Sequence, residues 1–265
     1  MLLKNKIAII HGGAGSIGGA VARVFAREGA TVYLTGRTRS KLEVVAEDIR
    51  SRGGKAELEQ LDALDERAVQ EHADGVCQRS GRIDIEMNAI GVMHIQGKAF
   101  LDQSLDDLYT PVEGFVRSNF ITAQAAARHM VKQRSGVILT LSTPGSRMSA
   151  SGFLGYGVTC AAVEGFSRIL AGELGMHEVR VVCLRSHAIP EALPTSYAGE
   201  VFALVALQQG TTAEAMLAES ARTGTLLGRL PTLNEVAEDA AFLASDRAGA
   251  TTGAIANLTS GAIVD

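Results

Sequence analysis

Short apolar runs return along this chain at regular intervals: KIAIIHG, ATVYLTG, KAELEQLDA, IDIEMNAIG, GVILTLST, VRVVCLRS and AIANLTSG. Each has the length of a buried strand, and amphipathic stretches such as GGAVARVFAREG separate them. Strands linked through helices lie parallel, and a parallel sheet is covered on both faces, so its strands read as nearly continuous apolar runs. The pattern predicts an α/β fold over residues 1–265, a doubly wound seven-stranded parallel sheet with helices on both faces, in a single domain. No linker or internal repeat divides it. The irregular interval 188–228, with PEALPTSYAGEVFALVALQQGTTAEAM, predicts a helical excursion within that domain, covering the mouth of a substrate pocket.

The bulk numbers narrow the function. With 265 residues and 46% hydrophobic content the chain can bury one large core. Its net charge is −4 and its basic residues are scattered, which argues against nucleic acid as a partner. Cys77, Cys160 and Cys183 stand apart without a CxxC pair or a His cluster, so neither a disulfide framework nor a metal site is expected. MLLKNKIAII runs straight into a strand, and no apolar run approaches about 18 residues. A cytoplasmic protein with a small-molecule substrate and no membrane partner is expected.

The first strand ends in HGGAGSIGG, residues 11–19, and a helix follows. Glycines in such a turn let the backbone close around a pyrophosphate, whose charge meets free N–H groups and the positive end of the helix. A tight turn with only a structural purpose would read the same way. The second strand closes with TGRTRSK, which offers Arg37, Thr38 and Arg39 and no carboxylate where an adenosine ribose would lie. A guanidinium suits a 2′-phosphate, and an acid would suit a free 2′-hydroxyl, so NADP(H) is favoured as cofactor over NAD. A solvated pair of arginines opening the next helix remains the plainer alternative.

These residues resemble the short-chain dehydrogenase/reductase family, and the resemblance runs the length of the chain. It is carried by HGGAGSIG, by Asp62 in LDALD, by NAIG at 88–91, by Tyr156 and by GRLPTLNEVAEDAAFLASDRAGATTG. It implies a Rossmann-like fold. Gly12, Gly13, Ser16, Ile17 and Gly18 would hold the pyrophosphate, and Asp62 with Ala63 would contact the adenine. Asn88, Ala89, Gly91 and Ile189 would line the rest of the cofactor cleft. It also implies assembly as a homotetramer (or dimer).

The chain departs from the family pattern where the chemistry sits. Tyr156 matches the catalytic tyrosine, but the family lysine falls on Cys160, the asparagine on Phe115 and the serine on Thr143, with Ser142 beside it. The Pro-Gly after the sixth strand is Ser186-His187, and the glycine turn carries His11 for Thr and Ser16 for the middle Gly. All six lysines lie at or before Lys132, and Arg168 is about 18 Å along the helix, so neither replaces the missing cation. A phenol without a neighbouring cation keeps a pKa near 10 and forgoes a lowering of about 1 to 3 units. That is roughly 1.4 to 4 kcal/mol, or about tenfold to a thousandfold in rate if the proton step limits. Cys160 reads as a small buried filler, and His11 as a structural replacement. His187 borders the expected nicotinamide site and reads as a substrate or proton-relay residue. His94, His129 and His177 show no partner spacing and read as surface or packing residues.

Three functions fit. The first is an NADP(H)-dependent oxidoreductase that reduces a carbonyl, or an imine or activated alkene, of a medium-sized, mainly apolar molecule. In it Tyr156 is the proton donor and Thr143 or Ser142 orients the acceptor. The second is a non-redox enzyme on the same scaffold, such as an isomerase, dehydratase or cyclase. The third is a catalytically silent NADP-binding protein.

Overall fold

The structure, a computed structural model, describes residues 1–264. Its seven strands are β1 (Ile7–His11), β2 (Thr31–Gly36), β3 (Lys55–Gln60), β4 (Ile85–Asn88), β5 (Gly136–Ser142), β6 (Val179–Ser186) and β7 (Ala254–Leu258). They form one sheet in the order β3-β2-β1-β4-β5-β6-β7, every pair parallel. The expected seven-stranded parallel sheet is therefore what the chain builds. The order reverses between β1 and β4, and a cleft opens beyond the carboxyl ends of the strands at such a switch point.

Eight helices connect the strands: α1 (Ser16–Arg27), α2 (Arg39–Ser51), α3 (Glu66–Ser80), α4 (Leu105–Gln133), α5 (Leu154–Leu174), α6 (Tyr197–Gln208), α7 (Ala213–Gly224) and α8 (Leu233–Ala244). Residues along a strand alternate between the two faces of the sheet. In β1, Ala8 and Ile10 join the core under α1, α2 and α8, and Ile9 joins the core under α3, α4 and α5. This two-sided burial is the reason β1 reads as a nearly continuous apolar run, whereas the edge strand β3, KAELEQ, is largely exposed and polar.

α4 and α5 carry the residues that matter most for chemistry, and their starts are fixed locally. A capping box between Ser104 and Asp107 closes the first turn of α4, and Lys98 Nζ donates to Asp107 Oδ2 at 2.7 Å. The start of α5 crosses this turn so closely that a Cβ on Gly155 would lie 2.7 Å from the Asp107 carbonyl oxygen. Glycine at 155 is thus what lets α5 begin beside α4. The interval 188–228 contains a 3-10 segment, Pro190–Thr195, then α6 and α7. No helix among the described residues is long and apolar enough to cross a membrane.

Candidate functional site

The cleft at the β1 switch point is lined by the glycine turn. Gly12 has φ +75°, and a Cβ there would sit 2.6 Å from the Ala89 carbonyl oxygen, so the turn and the end of β4 approach as only glycine allows. Helix α1 starts with Gly15 as N-cap, so among the described residues no side-chain cap closes its first turn. Ser16 lies in that turn, with Ile17 half-buried and Gly13 and Gly18 buried beside it. These uncapped donors at the positive end of a helix, backed by a backbone too close for a side chain, fit a dinucleotide pyrophosphate.

His11, at the end of β1, is buried and its Nδ1 lies 2.8 Å from the Thr35 hydroxyl. Burial pushes its pKa down to about 3, so it is a neutral bridge between β1 and β2. Asn88 is buried and fully engaged. Its amide donates to the Ser118 and Thr122 hydroxyls, both at 3.3 Å, and its carbonyl accepts the Ile90 amide at 3.1 Å. It ties β4 to α4 and shapes the loop that carries Ala89 and Gly91. Asp62 is exposed and accepts the Leu64 amide, with Ala63 buried next to it.

At the end of β2, Arg37, Thr38 and Arg39 are exposed. Arg39 pairs with Glu43 one turn along α2, whereas Arg37 Nη2 donates to the Tyr197 hydroxyl at 2.9 Å. A second contact joins the same segment to the glycine turn: the Ser16 hydroxyl lies 2.8 Å from that of Thr195. The 190–197 segment therefore meets the glycine turn and the end of β2 at two points. Ile189, which opens it, is buried against Ile17.

Tyr156 sits in the first turn of α5. The phenol contacts Thr143 and Cys160, and Thr143 Oγ1 lies 3.2 Å from Cys160 Sγ. Burial, with Cys160 adding to it, holds the phenol well above its ordinary pKa. Burial likewise raises the Cys160 thiol, so the family lysine position carries no charge. The Phe115 ring meets the tyrosine edge-on, with centroids 6.3 Å apart.

The two neighbouring hydroxyls expected to orient a substrate point to different jobs. Thr143 stays at the phenol. Ser142 is on the strand face that looks into α5, where its Oγ donates to Glu164 Oε1 at 2.9 Å. His187 is half-buried, and its Nδ1 accepts the Ala188 amide at 2.7 Å. No hydrogen bond or ring contact joins it to Tyr156, and burial lowers its pKa. Asn119, one turn past Phe115, donates back to the Phe115 carbonyl and brings no amide to the phenol.

Sequence reasoning missed two features. His94 packs on Tyr156 itself: the rings are stacked, with centroids 4.0 Å apart and planes 1° from parallel. The second is a buried ion pair one turn beyond Cys160, in which Arg185 on β6 donates to Glu164 on α5 from Nε at 2.8 Å and from Nη2 at 3.0 Å. Burial pushes the Glu164 carboxyl up, and bonds from Arg185, Ser146 and Ser142 outweigh it and hold the group below its ordinary range. Charged residues inside an otherwise apolar strand and helix, VRVVCLRS and AAVEGF, were the available signal.

A family model described as enoyl-(acyl carrier protein) reductase matches residues 12–262. The chain is 31% identical over 255 residues to an uncharacterized oxidoreductase, YxbG, of Bacillus subtilis (strain 168), covering 95% of this chain and 88% of that one. It is 26% identical over 268 residues to the 3-oxoacyl-[acyl-carrier-protein] reductase FabG of Thermotoga maritima, covering 100% of both. Among solved structures, a short-chain type dehydrogenase/reductase from Mycobacterium ulcerans superposes with a TM-score of 0.85 at 26% identity, covering 99% of this chain and 91% of that one.

Proposed function

Since the chain belongs to the short-chain dehydrogenase/reductase family of oxidoreductases, which work with a nicotinamide dinucleotide, we propose that it is an NADP(H)-dependent reductase of a carbonyl on a medium-sized, mainly apolar molecule. The observation that carries this reading is the Tyr156 phenol beside the Thr143 hydroxyl, at the carboxyl end of the sheet that also bears the glycine turn. Arg37 supports the choice of NADP(H): it is exposed at the ribose end, and its partner is a neutral hydroxyl rather than a carboxylate.

When bound, the nicotinamide supplies the hydride. Thr143 donates one hydrogen bond to the substrate carbonyl oxygen and keeps the phenol aligned. Tyr156 gives its proton to that oxygen as charge develops there. Because burial holds the phenol protonated, the resting site has the form from which reduction starts; oxidation of an alcohol would have to start from a disfavoured phenolate. Phe115 and the segment 188–228, with α6 and α7, give the pocket an apolar wall and cover.

The test is stopped-flow mixing of protein, NADPH and a panel of ketones, with Tyr156→Phe alongside. Loss of nicotinamide absorbance in the wild type, reduced at least about a hundredfold in the variant while NADPH affinity is unchanged, supports the reading. If Tyr156→Phe reduces the same ketones at the same rate, the tyrosine is not the acid and the assignment fails.

A further inference from the structure

We propose that His94, stacked on Tyr156, is the positioning residue that supplies the positive charge which Cys160 cannot. The inference rests on the reductase reading of the same site. The imidazole lies flat on the phenol ring, with centroids 4.0 Å apart. A protonated ring in that place is attracted to the face of the phenol and stabilises negative charge appearing on it as the proton leaves.

The surroundings suit both protonation states of His94. Nδ1 lies 2.9 Å from the Val92 carbonyl oxygen, which can only accept, so that nitrogen carries a hydrogen in either form. Nε2 lies 2.9 Å from the Gln96 amide nitrogen, and Gln96 is buried with its Oε1 otherwise without a partner. With the ring neutral, the amide donates to Nε2; with the ring protonated, the amide turned end for end accepts from it. One side chain thus serves both states.

Few charged groups lie on the elements around the ring. On its own loop, Lys98 pairs with Asp107 at the start of α4. From α5 come Tyr156, the uncharged Cys160 and, a turn further on, Glu164 paired with Arg185. The loop after β5 contributes Thr143 and the exposed Arg147, and α4 contributes Phe115. From α6, the uncharged Gln208 packs against Gly97. Burial lowers the pKa of His94 and the Val92 carbonyl offsets part of that, so the charge appears on the acid side of the ordinary histidine value of about 6.5.

The step itself balances simply. Hydride passes from NADPH to the carbonyl carbon, the phenol proton passes to the oxygen, and the phenolate is reprotonated from solvent while His94 keeps its own proton. Lowering the phenol pKa by about 1 to 3 units makes it a stronger acid, so reduction accelerates as pH falls through the His94 value.

The experiment combines two readouts on the full chain with NADPH. Single-turnover rates of reduction of acetophenone and ethyl acetoacetate are taken from pH 5 to 8 for the wild type, His94→Phe and His94→Gln. In parallel, the His94 C2 proton is titrated by NMR, with the variants assigning its resonance. The expected result is a rise of about tenfold toward low pH in the wild type, with a midpoint matching the NMR titration, absent in both variants although His94→Phe keeps the stacked ring. A His94 resonance that does not titrate above pH 5, or a rate rise that survives in the variants, overturns the proposal and leaves the reductase reading standing. No hydride transfer from the wild type to either ketone or to any other acceptor defeats the reductase reading itself, and the role of His94 with it.

Discussion

Glu164 and Arg185 face each other across the join between α5 and β6, both almost fully buried, one turn past the position where the family has its lysine. Ser142 is the register partner of Arg185 on β5 and donates to the same carboxylate, and the Ser146 hydroxyl adds a bond at 2.6 Å. The charge on this side of the site is therefore paired and faces inward, and it does not reach the phenol.

Removing one member of that pair should be severe. Arg185→Met leaves a buried carboxylate with two hydroxyl donors only, and a loss of about 3 to 5 kcal/mol is expected in urea unfolding at pH 7. The double variant Glu164→Gln/Arg185→Met should recover part of that loss. Equal stability of Arg185→Met and wild type would show that the pair contributes nothing. Because the carboxyl is held below its ordinary range, its contribution is present above the unfolded value and declines as pH falls through the folded one, on the acid side of about 4.

Glu86 behaves in the opposite sense. It lies inside β4, 1% exposed, and burial raises its pKa to about 8 against an opposing contact from the Thr122 hydroxyl. The folded protein then holds a proton that the unfolded chain has released, so stability falls as pH rises from about 4.5 to about 8 and levels off above that, by up to about 1.4 kcal/mol per pH unit. Glu86→Gln should flatten this slope and be the more stable protein at pH 9. Denaturant midpoints at pH 6, 7.5 and 9 decide it, and parallel curves for the two proteins would refute the assignment.

Arg37 is expected to set cofactor preference. Its replacement by Ala removes one charge-assisted contact to a 2′-phosphate, which is worth about 1.5 to 3 kcal/mol, or roughly tenfold to a hundredfold in Kd for NADPH. Affinity for NADH should change little. Fluorescence titration with both nucleotides separates these outcomes, and an equal loss for both would assign Arg37 a structural task instead.

Cys160→Lys puts a permanent cation back beside the phenol, one turn before Glu164. If the proton step limits turnover, kcat for reduction at pH 7 should rise by about tenfold or more, and the rise toward low pH should shrink, because a permanent cation lowers the phenol pKa at every pH and disfavours protonation of His94 beside it. A variant that folds and binds NADPH yet reduces ketones no faster than wild type would mean that the missing cation is not what limits the rate.

Much of this architecture was legible in the sequence. The central strands declared themselves because a sheet covered on both faces favours apolar residues at successive positions, as in IAIIH of β1; the edge strand β3, KAELEQ, carries that signal only weakly. The glycine turn was legible because φ and close approach at Gly12 leave no other choice. The side-chain constellation was harder to read. His94 lies 62 residues before its stacking partner, and Glu164 and Arg185 sit on different elements, so no spacing along the chain could pair them. The separation of Ser142 from Thr143 was in principle accessible, since consecutive residues at a strand end point to opposite faces and Ser142 shares its side with Thr140, which contacts Ser167 on α5.

The two tethers from the 190–197 segment, Thr195 to Ser16 and Tyr197 to Arg37, span the ends of the groove in which a dinucleotide would lie. If a nucleotide must displace both before it settles, capture is a two-step event, and the observed binding rate is expected to level off at high nucleotide concentration instead of climbing without limit. The ceiling on that rate would then be a property of the 190–197 segment rather than of diffusion, and loosening either tether should lift it.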